Sequence, residues 1–354
     1  MFKIESLFKV QKISKMLSKE ELLSSWNYPV YSSDSNNNGI IGYTNNPEFI
    51  CDSSHPIYIT FGDHTRTFNI AQKSFSVLDN VKVLLPTINN ISALMFIISV
   101  WHKQIPNLGY SRHWKIAKEC TISLPITNNK EIDFDFIEKL IVELEMGRIK
   151  KLETYLRETG LDNYILNETE QKALDLLDEI KFEAYNVTDV FDVKNTHNIL
   201  SSEIVANSGN TPYLCASAEN NGVDCYISYN DNLLEQGNCI FIGGKTFVVS
   251  YQEKDFFSND SHNLILSLKN DEYRNKLNNL YLATCVRKSL SHKYSWGDSI
   301  SNKKIQKDVV YLPTINHKVD YDCMANLISA IQKLVVKDVV LYMRQKIEEY
   351  NKIV

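Results

Sequence analysis

Two stretches of this chain gather cations, aromatic rings and amides in a way that suits one kind of chemistry. Residues 102–118 carry Lys103, Arg112, Lys115 and Lys118 with His102, His113, Tyr110 and Trp114, and no acid. Residues 286–307 carry Arg287, Lys288, Lys293, Lys303, Lys304 and Lys307 with His292, Tyr294 and Trp296, against Asp298 alone. Upstream of each lies an Asn-Asn-Gly turn, at Asn37-Asn38-Gly39 and Asn220-Asn221-Gly222, and then a hairpin bearing a cation, Arg66 in the first case and Lys245 in the second. Arginine and lysine match phosphates and guanine edges, asparagine matches adenine edges, and aromatic rings pack on sugars and methyl groups. With Lys73 and Lys254 added, the candidate DNA-binding residues are Asn37, Asn38, Arg66, Lys73, Tyr110, Arg112 and Lys115, then Asn220, Asn221, Lys245, Lys254, Lys293, Tyr294 and Trp296. Singly, each reads better as a solvated charge or a core ring than as a DNA contact, and Trp101 is expected in the core. The weight rests on one constellation occurring twice.

Catalytic patterns are missing. The chain has no G-x-x-x-x-G-K-[ST] or G-x-G-x-x-G phosphate cradle, no G-x-S-x-G and no H-E-x-x-H. Gly243-Gly244-Lys245-Thr246 resembles the tail of a P-loop, but Cys239 stands where the first glycine belongs, and a strand is expected where a helix is needed. Asn210-Thr211-Pro212-Tyr213 resembles the Asn-Pro-Pro-Tyr turn with which amino-methyltransferases hold a flipped adenine. Its second residue departs from that turn, and no glycine-rich strand-turn-helix for S-adenosylmethionine precedes it. The seven cysteines are odd in number, widely spaced and free of Cys-x-x-Cys, which reads as reduced thiols. No catalytic residue, metal ligand or cofactor is therefore assigned to this chain.

The elements that must position these residues follow from a repeat. A shift of 183 places Phe191-Asp192-Val193 on Phe8-Lys9-Val10, Pro212-Tyr213-Leu214 on Pro29-Val30-Tyr31, and the second Asn-Asn-Gly on the first. A small change of register then aligns Ile242-Gly243 with Phe61-Gly62, Lys254 and Phe256 with Lys73 and Phe75, Tyr294-Ser295 with Tyr110-Ser111, and Leu312-Pro313 with Leu124-Pro125. Such order over about 150 residues indicates a duplication. Each copy reads as a strand-rich block, with a strand over 57–62, a return over 66–70 and a helix over 90–104 in the first, followed by a long helix. A short helix is expected over 18–25, capped by Ser18 and Glu21.

Residues 126–211 contain no proline, whereas the 125 before them contain six. From Glu131 to Ile180 there are 14 acidic and 6 basic residues. Ile137, Leu140, Ile141, Leu144, Leu152 and Leu156 recur at helical spacing, predicting a helix from about 133 to 157, broken near Gly160. A further helix is expected near 167–184, with Asn167 and Glu170 as its caps. After Pro313 there is again no proline, and Met324, Leu327, Ile328, Ile331, Leu334, Val335 and Val339 mark a final helix matching the one from Asp133. Helices with narrow apolar stripes and charged remaining faces pack side by side in bundles.

At 354 residues, 44% hydrophobic and 23% charged, the chain has ordinary globular composition. Its net charge of −5 disfavours DNA on average, but a phosphate backbone senses the local patches. No run of 18 apolar residues and no signal-like N-terminus is present, which predicts a cytoplasmic protein with no membrane partner.

The chain resembles the specificity subunits of type I restriction–modification systems and of the related type IIB enzymes. The residues carrying this are Thr211-Pro212-Tyr213 with Asn221-Gly222, Ile242-Gly243-Gly244-Lys245, Tyr251-Gln252 with Asp255-Phe256, Lys293-Tyr294-Ser295, Leu312-Pro313, and the passage from Tyr155-Leu156 through Gly160-Leu161-Asp162-Asn163-Tyr164 to Glu170. The second block matches better; Phe61-Gly62-Asp63-His64 departs from the Gly-Gly-Lys hairpin. The resemblance implies an α+β fold: target-recognition domains at 1–130 and 187–317, spacer helices at 131–186 and a C-terminal spacer helix at 318–354, the helices forming an antiparallel coiled coil. It implies a subunit that selects a split double-stranded DNA site and catalyses nothing. Methyltransferase subunits, and in a full system restriction subunits, would be its partners, and S-adenosylmethionine, ATP and Mg²⁺ would belong to them. The competing readings are a stand-alone DNA adenine methyltransferase, an orphan recognition subunit without a nuclease, and a scaffold that binds no DNA.

Overall fold

The computed structural model describes residues 1–352. They divide into two units, one of Met1–Lys151 with the stretch from Lys346 onward, the other of Leu152–Gln345.

In the first unit, Phe8–Val10, Val81–Pro86, Tyr58–Gly62 and Phe68–Ala71 form a four-stranded antiparallel sheet in that spatial order. A second sheet places Tyr28–Tyr31 between Ile40–Thr44 and Ser76–Val77, the latter pairing parallel. The second unit repeats both arrangements. Phe191–Asn195, Leu264–Leu268, Cys239–Ile242 and Val249–Gln252 form its four-stranded sheet. Thr211–Leu214 lies between Val223–Ile227 and Phe257–Ser258 in its three-stranded sheet. Even the register break recurs, between Val30 and Tyr31 and between Tyr213 and Leu214. The duplication read from the sequence is thus a duplication of fold.

Each four-stranded sheet is covered by one helix, Ile91–Gln104 or Lys276–Leu290. Both begin on an asparagine whose side chain accepts a backbone N–H of the first turn: Asn90 from Ala93 at 2.9 Å and Asn275 from Asn278 at 3.0 Å. Such a cap satisfies a donor the helix itself cannot. Phe61, Leu84, Leu94, Ile97 and Trp101 are fully buried between the first sheet and its helix, and Trp101 Nε1 donates to the Ala117 carbonyl at 2.9 Å. Ile242, Leu264, Leu266, Leu282 and Val286 fill the second core. Each such side chain contributes on the order of 2 kcal/mol through burial.

The long helices span Phe134–Glu158 and Tyr321–Asn351. Within the second unit, the chain after the first of them runs antiparallel along the second. Arg344 Nη2 reaches the Asp162 carbonyl and its guanidinium lies over Tyr164, Lys333 reaches the Ile165 carbonyl, and Ser329 and Lys333 both bond Glu170. Two expected helices are shorter than the spacing suggested. Residues 18–25 contain only a single 3₁₀ turn, Lys19–Glu21, held by the expected Ser18–Glu21 box. The helix expected over 167–184 ends at Asp175. Phe182–Asn186 is instead a strand, paired antiparallel with residues 309–313 of Val309–Ile315, so it belongs with the second block rather than with a spacer. Ladder bonds from that partner override the helical spacing of Leu174, Leu177 and Ile180.

Candidate nucleic-acid interface

In each unit three loops meet at the tip of one hairpin. In the first unit, Gly62 N–H donates to the Thr67 carbonyl and Arg66 N–H to the Gly62 carbonyl, closing the turn with Arg66 at φ 61°. In the second, Gly243 N–H donates to Val248 and Phe247 N–H to Gly243, with Phe247 at φ 54°. The turns are therefore equivalent residue for residue, and the match assigns the cation differently from the sequence reading. Arg66 occupies the place of Phe247, and His64 occupies that of Lys245. Both Arg66 and Phe247 brace the following loop: Arg66 Nη1 donates to the Ile105 carbonyl at 2.9 Å, and the Phe247 ring lies 5.5 Å from that of Tyr294. Arg66 and His64 are both half-buried, Arg66 as structural support for the loop and His64 beneath the Tyr110 ring, and the exposed hairpin group is Lys245.

The loops that lead into the Asn-Asn-Gly turns lean on these hairpins. Ser33 Oγ accepts His64 N–H at 3.1 Å in the first unit, and Thr246 Oγ1 donates to the Ala216 carbonyl at 3.0 Å in the second. Asn37, Asn38, Asn220 and Asn221 all adopt positive φ, which asparagine tolerates. Much of their amide chemistry is spent locally. Asn37 Nδ2 donates to Ile40, Asn220 Nδ2 to Val223, and Asn221 Nδ2 to Tyr251, while Asn38 makes no such contact among the described residues.

The third loop follows the sheet-covering helix, and its attachment is shared. His113 N–H donates to the Asp63 carbonyl at 3.0 Å, and Ile300 N–H donates to the Gly244 carbonyl at 3.1 Å, one hairpin residue being the counterpart of the other. Fully buried His113 pins the first loop further: its Nδ1 donates to Asp63 O at 2.9 Å while its Nε2 accepts Leu108 N–H at 3.1 Å. Those two bonds require the neutral ring protonated on Nδ1. Tyr110 then stands 86% exposed, stacked on the His64 ring at 4.5 Å, with its carbonyl accepting from His64 Nδ1. Arg112 and Lys115 are exposed beside it.

Tyr294, aligned with Tyr110 by sequence, is 7% exposed. Its hydroxyl donates to Asp308, and burial together with that carboxylate pushes its acidity far from the neutral range. Tyr294 is a core residue of the loop and cannot itself touch a duplex; Trp296, 77% exposed, is the ring the second unit presents. Lys293 is tied to Asp308 at 2.9 Å, and Lys245 to Asp260 at 3.1 Å. Lys73 and Lys254 follow the returning strands Phe68–Ala71 and Val249–Gln252, at the end away from the turn, so they do not join the cluster. The groups the sequence does not assign to the site are His64, Asp260 and Asp308, and His113, noted in the basic stretch, is not foreseen there as its buried anchor. Counting both turns from Gly62 and Gly243 would have paired His64 with Lys245; nothing local marks the other three.

The two motif-like stretches are structural. Thr211–Leu214 is an inner strand, and Tyr213 is buried with its hydroxyl donating to the Ile199 carbonyl at 2.7 Å and its pKa pushed up to about 12 by burial. Gly243 and Gly244 are buried in the hairpin, where a Cβ on Gly244 would stand 2.2 Å from the His262 carbonyl oxygen. All seven cysteines are free thiols. Among the described residues, no His, Cys, Asp and Glu cluster could hold a metal ion, and no helix is long and apolar enough to cross a membrane.

Known proteins share this arrangement. The family model described as type I restriction modification DNA specificity domain matches residues 1–154 and again 179–339, the second match taking in the strand Phe182–Asn186. The type II restriction enzyme BgcI specificity subunit S.BcgI of Heyndrickxia coagulans is 29% identical over 154 residues, which are 43% of this chain and 44% of that protein. The chain thus matches less than half the length of that relative. The crystal structure of the type I restriction–modification system S subunit from M. genitalium superposes with a TM-score of 0.61, covering 99% of this chain and 92% of that one at 13% identity, a likeness of fold. With two tandem matches spanning most of its length, this chain belongs to the family of type I restriction modification DNA specificity domains.

Proposed function

We propose that this protein is the DNA-recognition subunit of a restriction–modification complex, each unit reading one word of a split duplex site. The observation that carries the reading is the twofold convergence of an Asn-Asn-Gly turn, a hairpin tip and a helix-following loop, each time presenting an exposed ring and exposed cations. Duplex DNA needs cations for phosphates and amides and rings for base edges and sugars. Methyl transfer and cleavage belong to partner subunits in this reading, and S-adenosylmethionine, ATP and Mg²⁺ belong with them. The long helices offer those partners a surface: Ile331, Leu334, Val335 and Val339 of Tyr321–Asn351 are exposed. The working compartment is the cytoplasm, where genomic DNA is.

The test is methylation mapping of cells with and without the gene. Loss of methylation at one bipartite sequence, restored by the gene in trans, supports the reading; an unchanged methylome overturns it. Micromolar S-adenosylmethionine binding by this chain alone would instead favour a self-sufficient methyltransferase.

A further inference from the structure

The two reading loops are held by different chemistry, and the difference points to one residue. The first loop is fastened by backbone groups, His113 bonding the Asp63 carbonyl and Leu108 N–H while Trp114 N–H donates to the Asp63 carboxylate, with no lysine in the set. The second is fastened by charge. Asp308 is 6% exposed, and its carboxylate takes Lys293 Nζ on Oδ1 and the Tyr294 hydroxyl on Oδ2. Above it, Lys304 lies 5.8 Å over the Tyr294 ring and bonds both Asp298 and the Ser299 carbonyl. Residues 293, 294, 298 and 299 are thus fixed on both sides of Trp296, which makes no such contact among the described residues and is 77% exposed. Asp308 is also part of the frame: its carbonyl accepts Val187 N–H at 3.0 Å, immediately before the strand Val309–Ile315.

From this geometry we infer that Asp308 is a positioning residue for DNA reading by the second unit, setting where the Trp296 indole meets the sugar and methyl surface of one word of the site. The inference rests on the DNA-recognition reading above. A buried carboxylate with two donors has one low-energy arrangement, whereas a loop carrying an unpaired lysine and an unpaired phenol would sample many. The carboxylate touches no base; it acts through Lys293 and Tyr294 on the tryptophan between the loop's two anchors.

The experiment is selection of duplexes from a randomised pool by the full-length protein, followed by sequencing of the bound fraction. Wild type is expected to enrich a split site with two words. Asp308→Asn is expected to keep the first word while discrimination within the second falls about tenfold, the worth of one base-pair contact. Lys293→Met, on a side chain already partly exposed, should shift the second word in the same direction. Trp296→Ala, on a fully projecting ring, should do the same with an unchanged melting temperature. If wild type enriches two words and both Trp296→Ala and Lys293→Met leave the second intact, the inference is wrong while DNA recognition stands. If wild type enriches no site, both fail together. A merely structural Asp308 would lose the second word only together with a lower melting temperature, and Lys293→Met at an unchanged melting temperature would leave that word intact.

Discussion

At the scale of single residues, Lys245 shows how an exposed cation can be restrained by its own protein. Its ammonium lies 3.1 Å from Asp260 Oδ2, while Asp260 Oδ1 accepts from the backbone and the ring of His262. A pair this open contributes little to stability, but the carboxylate competes with phosphate for the same ammonium. Asp260→Asn should therefore tighten binding to duplexes of any sequence, and Lys245→Met should weaken it, flattening the slope of log K against log salt by about one. Fluorescence anisotropy across a salt series reads both; parallel slopes for Lys245→Met and wild type would place Lys245 away from the DNA. Burial pushes the pKa of Asp260 up, but the His262 and Lys245 bonds outweigh it and hold the carboxyl below its ordinary value. A depressed acid contributes stability above its unfolded pKa, about 3.9, and that contribution is lost only as pH falls through the lower folded value. Any change in DNA affinity between pH 6 and 8 must come from elsewhere. The residue types at this site were legible in the sequence; their partners were not. Arg66 and Lys245 both looked like hairpin cations because spacing cannot say which side of a turn faces in. Tyr110 and Tyr294 share a sequence context, yet the acid that draws one of them inward, Asp308, is 14 residues away in the chain.

At the scale of elements, the join between Glu168–Asp175 and the C-terminal helix shows a cap used twice. Asn167 Oδ1 accepts Glu170 N–H and Glu170 returns a bond to Asn167 N–H, as the sequence suggested. The same carboxylate, almost fully buried, takes Ser329 Oγ at 2.6 Å and Lys333 Nζ at 2.8 Å from Tyr321–Asn351. Burial alone would raise its pKa, but those bonds win and it is held low. Glutamine supports a capping box as glutamate does, so Glu170→Gln should leave the short helix formed and remove only the charge facing a largely buried ammonium. The cost should be about 1–3 kcal/mol, read as a lower denaturant midpoint with an unchanged slope. Adding Lys333→Met should recover part of it, because no orphaned charge then remains. Additive losses from the two single changes would show that the residues do not interact. The helices and hairpin strands were foreseeable from periodicity, since each buries one face. Phe182–Asn186 was not, because its ladder partner lies more than 120 residues further on.

At the scale of the whole molecule, the proposed reading gives the duplication a use, one design for two words, and makes the long helices the candidate for setting the gap between those words. Phe134–Glu158 is 25 residues, hence about 37 Å long, close to one turn of duplex at about 34–36 Å. If these helices act as a ruler, their length and not the reading loops should fix the number of unread base pairs. Removing residues 139–145, with seven matching residues from Tyr321–Asn351, takes out almost two full turns, about 10 Å, and rotates the apolar stripe by only about 20°. The buried positions Met146 and Ile149 keep their facing to within that rotation. The shortened protein should select the same two words with the gap reduced by about three base pairs, at roughly 3.4 Å each. Sequencing of a selected duplex pool, or of methylated sites in cells, reads words and gap independently. A changed word with the old gap would show that the helices carry partners but measure nothing, and that spacing is set within the two units themselves.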